Sequence, residues 1–458
     1  MLRKLWCVAA LSAAVVPVQA QDSGAARLRE ELQQLKQQLQ KLEQRLQETE
    51  AKSGKAEESA ARAESTATQA ATQASSRPQT ESALNPGISA ILNGVYSNLK
   101  LNPDTYRING FVPTMGEVAP PPRGFSLGES ELGISANVDH LFRGVLIAAI
   151  SPDDNSIGVE EGYIQTLGLS HGFSVKAGRF FSAVGYQNQI HAHAWDFTDA
   201  PLVMKAFLGG QLNDDGVQVK WVAPTELYLD LGAEFARGRA FPGTAPNKNG
   251  AGSVNVFTHL GGDIGASLAW QAGLSYYQTR PEDRVYDDPL NGVSNSFTGR
   301  SRLWTLSGVL KWAPNGNATS TSFKLQGEYF RRKEDGDLTF DPAGAALTDG
   351  YKSAQSGWYL QGVYQFMPKW RAGYRYDELN SGTTNIGLAD SGALAPGDFP
   401  ILAGYKAKRH TAMLDWSPSE FSRVRLQFAR DYSRMGEPDN QIFLQYIVSL
   451  GAHGAHTF

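Results

Sequence analysis

Thiols are almost missing from this 458-residue sequence: its one cysteine, Cys7, lies within residues 1–20. That segment has a basic start (Arg3, Lys4), an apolar run from Leu5 to Val16, and Val18-Gln19-Ala20 before Gln21, the pattern of a secretory signal peptide cleaved after Ala20. The mature chain is then expected to carry no thiol, which excludes disulfides, cysteine metal sites and thiol nucleophiles. No later stretch approaches the ~20 uninterrupted apolar residues of a membrane helix; the longest aliphatic run, Val145 to Ile150, is only strand length. Charge is balanced as well. Forty-two Lys and Arg against 46 Asp and Glu leave a formal charge of -4. A nucleic-acid partner is not expected without a concentrated basic face.

What is present falls into three stretches after the signal peptide. In 21–50, Leu28, Leu32, Leu35, Leu39, Leu42 and Leu46 form a four-three seam on an otherwise polar helix, a coiled-coil heptad. The competing reading is a lone amphipathic surface helix, although an a/d-only stripe is narrower than a globular core face. Residues 51–85 are rich in Ala, Ser and Thr with no apolar seam, and read as a solvated linker.

From 86 to 458 the chain turns to about sixteen short segments of period-two alternation, from 88–99 to 440–450. In 227–235, Leu227, Leu229, Leu231, Ala233 and Phe235 share one face and Tyr228, Asp230, Gly232 and Glu234 the other. Segment 419–430 sets Val424, Leu426 and Phe428 against Arg423, Arg425 and Gln427. An apolar face needs a nonpolar partner, and a charged face cannot line a dry core. Lipid outside and water inside satisfy both.

The connections sort by length. Odd-numbered ones (100–124, 183–214, 236–251, 280–300, 333–352 and 379–406 among them) are mostly long, whereas even-numbered ones include Ser170-His171-Gly172, Met367-Pro368 and Ser417-Pro418. Long outer loops and short periplasmic turns mark membrane barrels. Trp221, Trp312, Phe366, Trp370, Trp416 and Phe421 beside the short turns suggest a periplasmic aromatic girdle. Unpaired strand edges cannot face hydrocarbon, so the sheet must close. The predicted fold is an all-β transmembrane barrel of about 16 antiparallel strands, preceded by an α-helical coiled coil, in the outer membrane of a Gram-negative cell with the coiled coil in the periplasm.

Candidate pore-lining residues are Lys220, Asp230, Glu234, Lys324, Glu328, Arg371, Arg375, Asp377, Arg423 and Arg425, with Glu129 and Glu131 also facing the lumen. Both signs are present, which predicts a transverse field rather than a clean ion filter; ordinary pairing across strands is the alternative. The long segment 183–214 carries apolar anchors and is predicted to fold into the pore, with His191, His193, Trp195, Asp196 and Asp199 at the constriction. An extracellular flap is the other reading. His191, His193 and Asp196 are candidate ligands for zinc or another transition metal, the cofactor this chain would take if it takes one. A second pair, His453 and His456, would point to opposite faces of a regular strand. Rim histidines without metal are the alternative for both pairs. Ser, His and acidic residues show no nucleophile-and-base arrangement beyond chance, so an enzyme is not expected.

The stretch Val-Lys-Ala-Gly-Arg-Phe-Phe at 175–181, the long loop ending in Asp214-Asp215-Gly216-Val217-Gln218, and the turn after Trp221 resemble the phosphate-selective porin O and P superfamily. That resemblance implies a sixteen-stranded trimeric barrel with an inward-folded third loop. A coiled coil ahead of such a barrel is similar to DcaP-like and LbtU-like porins, and implies a homotrimer held through 28–46. His191-Ala-His193-Ala-Trp195-Asp196-Phe197 and the ending Gly451-Ala-His453-Gly-Ala-His456-Thr-Phe458 are similar to uncharacterised barrels labelled zinc-regulated outer-membrane receptors. The functions in view are therefore a porin-type channel for small hydrophilic solutes, uptake of a metal ion or metal chelate such as a siderophore complex, and an envelope tether. Outer-membrane lipid is a partner in all three.

Overall fold

The computed structural model describes Lys41, 86–114, Gly116, 118–151, 156–244 and 249–451. The chain divides into two units, Met1–Ala83 and Leu84–Phe458. Apart from Lys41, a helical residue, the expected coiled coil and linker lie outside the described residues, as do His453 and His456.

Among the described residues, eighteen strand segments join one antiparallel sheet. They are β1 (Gly87–Leu99), β2 (Gly124–Leu127), β3 (Ser130–Asn137), β4 (Phe142–Ser151), β5 (Ser156–Thr166) and β6 (Phe173–Phe181). There follow β7 (Asn213–Val222), β8 (Tyr228–Ala236), β9 (Ser253–Ile264), β10 (Leu268–Thr279), β11 (Arg284–Asp287) and β12 (Ser294–Trp312). The last six are β13 (Ser322–Phe340), β14 (Leu347–Met367), β15 (Trp370–Ile386), β16 (Lys408–Ser419), β17 (Ser422–Asp431) and β18 (Asp439–Gly451). β2 and β3 follow one another along β1, and β10 and β11 along β12. Each pair is one stave broken in two, so eighteen segments make the sixteen expected staves. β1 pairs with β18 from Ser89↔Gly451 to Leu99↔Gln441 and closes the ring. Closure leaves no sheet edge to be desolvated by lipid.

The two faces divide as the alternation requires. On β14, Trp358, Leu360, Tyr364 and Phe366 are exposed, while Tyr359 and Gln361 between them are buried. On β17, Leu426 and Phe428 point outward, and Arg425 and Gln427 are buried inward. Trp312 ends β12, and Trp304, on the same face, packs at a tilt against Tyr276 with ring centroids 4.5 Å apart. Eight residues of strand span about 26 Å, or about 20 Å of height at a tilt of about 40°, close to the apolar band of an outer-membrane barrel. At the turn end, Trp370 stacks on Trp416 with centroids 6.0 Å apart.

Three expected loops are shorter than predicted. β12, β13, β14 and β15 run for 19, 19, 21 and 17 residues and absorb most of 333–352 and the strand-side ends of 280–300 and 379–406. Beyond the aromatic girdle the outward face of these strands is polar, as at Lys333, Asp335 and Asp337, while the inward face carries both Glu334 and Leu338, so the apolar-out, polar-in signal fades although the ladder continues. The connection from β13 to β14 is then only 341–346.

Inside the loop end sit two apolar clusters. One joins Ile108, Phe111, Trp195 and α1 (Leu202–Leu208) to the inward strand residues Tyr277, Leu303, Phe330, Tyr359 and Leu379. The other joins Val112, Phe241, Phe399, Ile401 and Leu402 to Phe297, Leu338 and Tyr351. Burial of a large apolar side chain contributes about 1.5–3 kcal/mol, so these clusters tie several long connections together within the ring.

Candidate functional site

The segment between β6 and β7 enters the barrel at once. Ser182 Oγ donates to Glu234 Oε2, and Ala183 N donates to Glu234 Oε1 at 2.9 Å. Gly185 then takes a left-handed φ of +76°, a conformation glycine adopts without steric cost. That turn aims Tyr186 N and Gln187 N at Glu328, 3.1 and 2.8 Å from its carboxylate oxygens. Asn188 bridges the segment's two ends, donating to the carbonyls of Ser182 and Leu212 and accepting from Leu212 N.

Further along, the inward charges of the last strands bind the segment. Asp196 accepts from Lys324 Nζ at 2.9 Å and Arg371 Nη1 at 3.1 Å. Arg423 and Arg425 both donate to the Trp195 carbonyl, at 3.2 and 2.8 Å. Asp199 faces Arg375 at 3.1 Å, Lys205 at 3.2 Å, and Arg409. Leu202 N, at the start of α1, donates to Asp377 Oδ1 at 2.9 Å, and all seven α1 residues are buried. Burial acts to raise the Asp199 carboxyl, but Arg409, Lys205 and Arg375 hold it well below the usual carboxylate range. Asp196 is likewise depressed against its own burial by Lys324 and Arg371.

The expected pore-lining set therefore separates. Glu234, Glu328, Arg375, Asp377, Arg423 and Arg425 face inward but hold segment 183–214. Lys220 and Asp230 line a cavity of about 880 Å³ on the side of β3 to β10, where Asp230 also contacts His259 Nδ1 at 2.8 Å. Lys324 and Arg371, with Asp196, border a second cavity of about 470 Å³. Arg409 and Asp415 were missed by sequence reading. Asp415 accepts from Arg425 at 2.8 Å and from Arg371. Both residues lie on the polar side of the β16 alternation, which is the signal that could have found them.

The expected metal set is divided by the structure. His191 and His193 come together, their rings 5.7 Å apart, but Asp196 is committed to Lys324 and Arg371 and does not join them. Glutamates from the wall take its place. His193 Nδ1 lies 2.6 Å from Glu131 Oε1. His191 Nδ1 lies 3.3 Å from Glu131 Oε2 and 3.4 Å from Glu160 Oε2, and its Nε2 lies 3.0 Å from Glu161 Oε2. Burial acts to lower the His191 pKa, but these carboxylates raise it well above the ordinary imidazole value. No regular strand could present Glu160 and Glu161 to one side. A β-bulge does so: Ile147 pairs with Glu161 and Ala148 with Val159, leaving Glu160 without a partner in the ladder.

No protein-family model matches the chain. Among solved structures, it is similar to the outer membrane channel DcaP of Acinetobacter baumannii, with 12% identity, TM-score 0.48, and coverage of 80% of this chain and 97% of that one. It is also similar to OprB of Pseudomonas putida, with 14% identity, TM-score 0.46, and coverage of 80% and 94%. At such similarity the barrel is argued from the chain's own closed ring and outward apolar band. An Aquifex aeolicus (strain VF5) protein described as uncharacterized is 32% identical over 353 residues, covering 73% of this chain and 70% of the relative. With that identity over that length, the chain belongs to the same family as the Aquifex aeolicus protein, and its own structure is a closed antiparallel β-barrel of sixteen staves with an apolar outer face.

Proposed function

We propose that the barrel is a porin-type channel for small hydrophilic solutes, narrowed by segment 183–214. The observation that carries this reading is the seating of that segment on inward charges of the wall, beside a cavity of about 880 Å³ lined by polar and charged groups including Arg143, Gln165, Lys176, Gln218 and Asp263. Charges of both signs remain on that lining, which favours weak ion selectivity over a single-sign filter. The apolar clusters on the loop side make the passage narrow. Residues 28–46 supply a seam for homotrimer assembly in the periplasm, and the outer girdle seats each barrel in lipid.

Planar-bilayer recording with ion substitution tests the reading. The intact protein is expected to give small, weakly selective unit currents, and a variant with 196–210 replaced by a short Gly/Ser linker larger ones. A folded, inserted protein with no conductance in either form would reject the channel and leave the barrel as an anchor.

A further inference from the structure

We propose that Glu131, Glu160, His191 and His193 form a binding site for a divalent transition ion of the zinc class, in the wall of the lumen cavity. The inference rests on the geometry of this cluster and does not depend on the barrel conducting solutes. The two glutamates, with Glu161, come from β3 and β5, and both histidines from the segment folded against them. Glu131, His191 and His193 place ligand atoms within 4.8 Å of one another, as do Glu129, Glu131 and Glu160.

Three features distinguish this cluster from a chance gathering of polar groups. The spacing is the first. Zinc bonds of about 2.1 Å in a tetrahedron set neighbouring ligand atoms about 3.4 Å apart, and His191 Nδ1 stands 3.3 and 3.4 Å from the oxygens of Glu131 and Glu160. His191 Nδ1 and Glu160 Oε2, both buried, make no hydrogen bond there. An ion between them would replace that 3.4 Å contact with a bond to each.

The second is orientation. With Nδ1 toward the ion, His191 Nε2 donates to Glu161 Oε2 at 3.0 Å. Glu161 is fixed in turn by Phe181 N, 3.3 Å from its Oε1. A carboxylate behind a ligating imidazole sets the tautomer and raises ligand basicity. The third is charge and access. Several carboxylates face two imidazoles, and Lys176, which interacts electrostatically with Glu161, is held over the Tyr163 ring at 4.5 Å. Glu131, Glu161, His191 and His193 all reach the cavity, so an ion can enter from water. Mixed imidazole and carboxylate ligands suit zinc, copper or nickel better than calcium or magnesium, which favour oxygen alone.

The test is a zinc chloride titration of the full-length protein in detergent, purified without a polyhistidine tag, followed by calorimetry and by competition with a chelating dye. One zinc per chain is expected, with X-ray absorption showing N/O ligands that include two imidazoles. The variant His191→Ala/His193→Ala is expected to lose more than about 100-fold in affinity, and Glu161→Gln about 10- to 100-fold, the usual loss for a supporting carboxylate. The variant His453→Ala/His456→Ala is expected to bind as the parent does. Heat-modifiable gel migration confirms that each barrel is folded, and Glu131→Gln, nearly isosteric, provides a weakened site should the alanine pair fail to assemble. Undiminished binding in folded His191→Ala/His193→Ala or Glu131→Gln, loss confined to the 453/456 variant, or no uptake by the parent would overturn the proposal.

Discussion

Glu328 illustrates how one inward carboxylate can govern a long connection. It accepts from Tyr186 N, Gln187 N and, at 2.7 Å, Tyr359 Oη. Hydrogen bonds to a charged group contribute roughly 1.5–3 kcal/mol each, and removing the acceptor strands three buried donors. Glu328→Ala is expected to lower the thermal unfolding temperature and to give larger, noisier unit currents. Gly185→Ala should act similarly, because its Cβ would meet Glu328 Oε2 and its φ of +76° is strained for alanine. Currents as quiet as the parent's in both variants would show that this turn does not hold the segment. Asp199 sets the pH response at the same scale. Its carboxyl is depressed in the folded barrel, so its contribution is complete above the unfolded value and is lost as pH falls through the lower folded value. Current amplitude and proteolysis within 196–210 should therefore be constant from about pH 8 to about pH 5, with release only below roughly pH 4. Release near neutrality would contradict the anchoring role of the Arg409, Lys205 and Arg375 cluster.

At the scale of the element, a strand is a two-sided object whose sides answer to different solvents. Leu426 faces lipid and Arg425, its neighbour, is buried inside on Asp415. Leu426→Arg is expected to cost about 2–4 kcal/mol in reversible urea folding into lipid vesicles, whereas Leu426→Val should change little. Equal tolerance of both would mean that this face does not meet hydrocarbon. The alternation of such pairs made the staves legible, because period two survives wherever one face is oily and the other wet. Two features escaped it. Above the girdle, 333–340 and 347–352 are polar on several consecutive positions and still pair from Lys333↔Ala354 to Phe340↔Leu347. At Glu160 the bulge breaks the period itself, so reading by alternation sends Glu160 and Glu161 to opposite sides. The bulge arises from the pairing of β4 with β5, and a strand considered alone carries no mark of it.

The whole molecule adds closure, and with it the inward convergence of parts far apart in the chain. Residues 28–46 should hold the assembly as trimers: chemical crosslinking of the intact protein is expected to give a threefold species that disappears when 28–46 are deleted. Persistence of that species after deletion would move the trimer contact to the barrel wall. Sequence alone was enough for the ring of staves, the outward aromatics and the inward charges, since each depends on local alternation and on the rule that no backbone edge faces lipid. It also singled out segment 183–214 and both of its histidines. Only the folded ring decided which inward charges meet water and which grip that segment. It alone took Asp196 away from the histidines and brought Glu131, Glu160 and Glu161 to them. Those outcomes depend on register and on distances across the lumen, which emerge only once the sheet has closed and the segment has packed inside it.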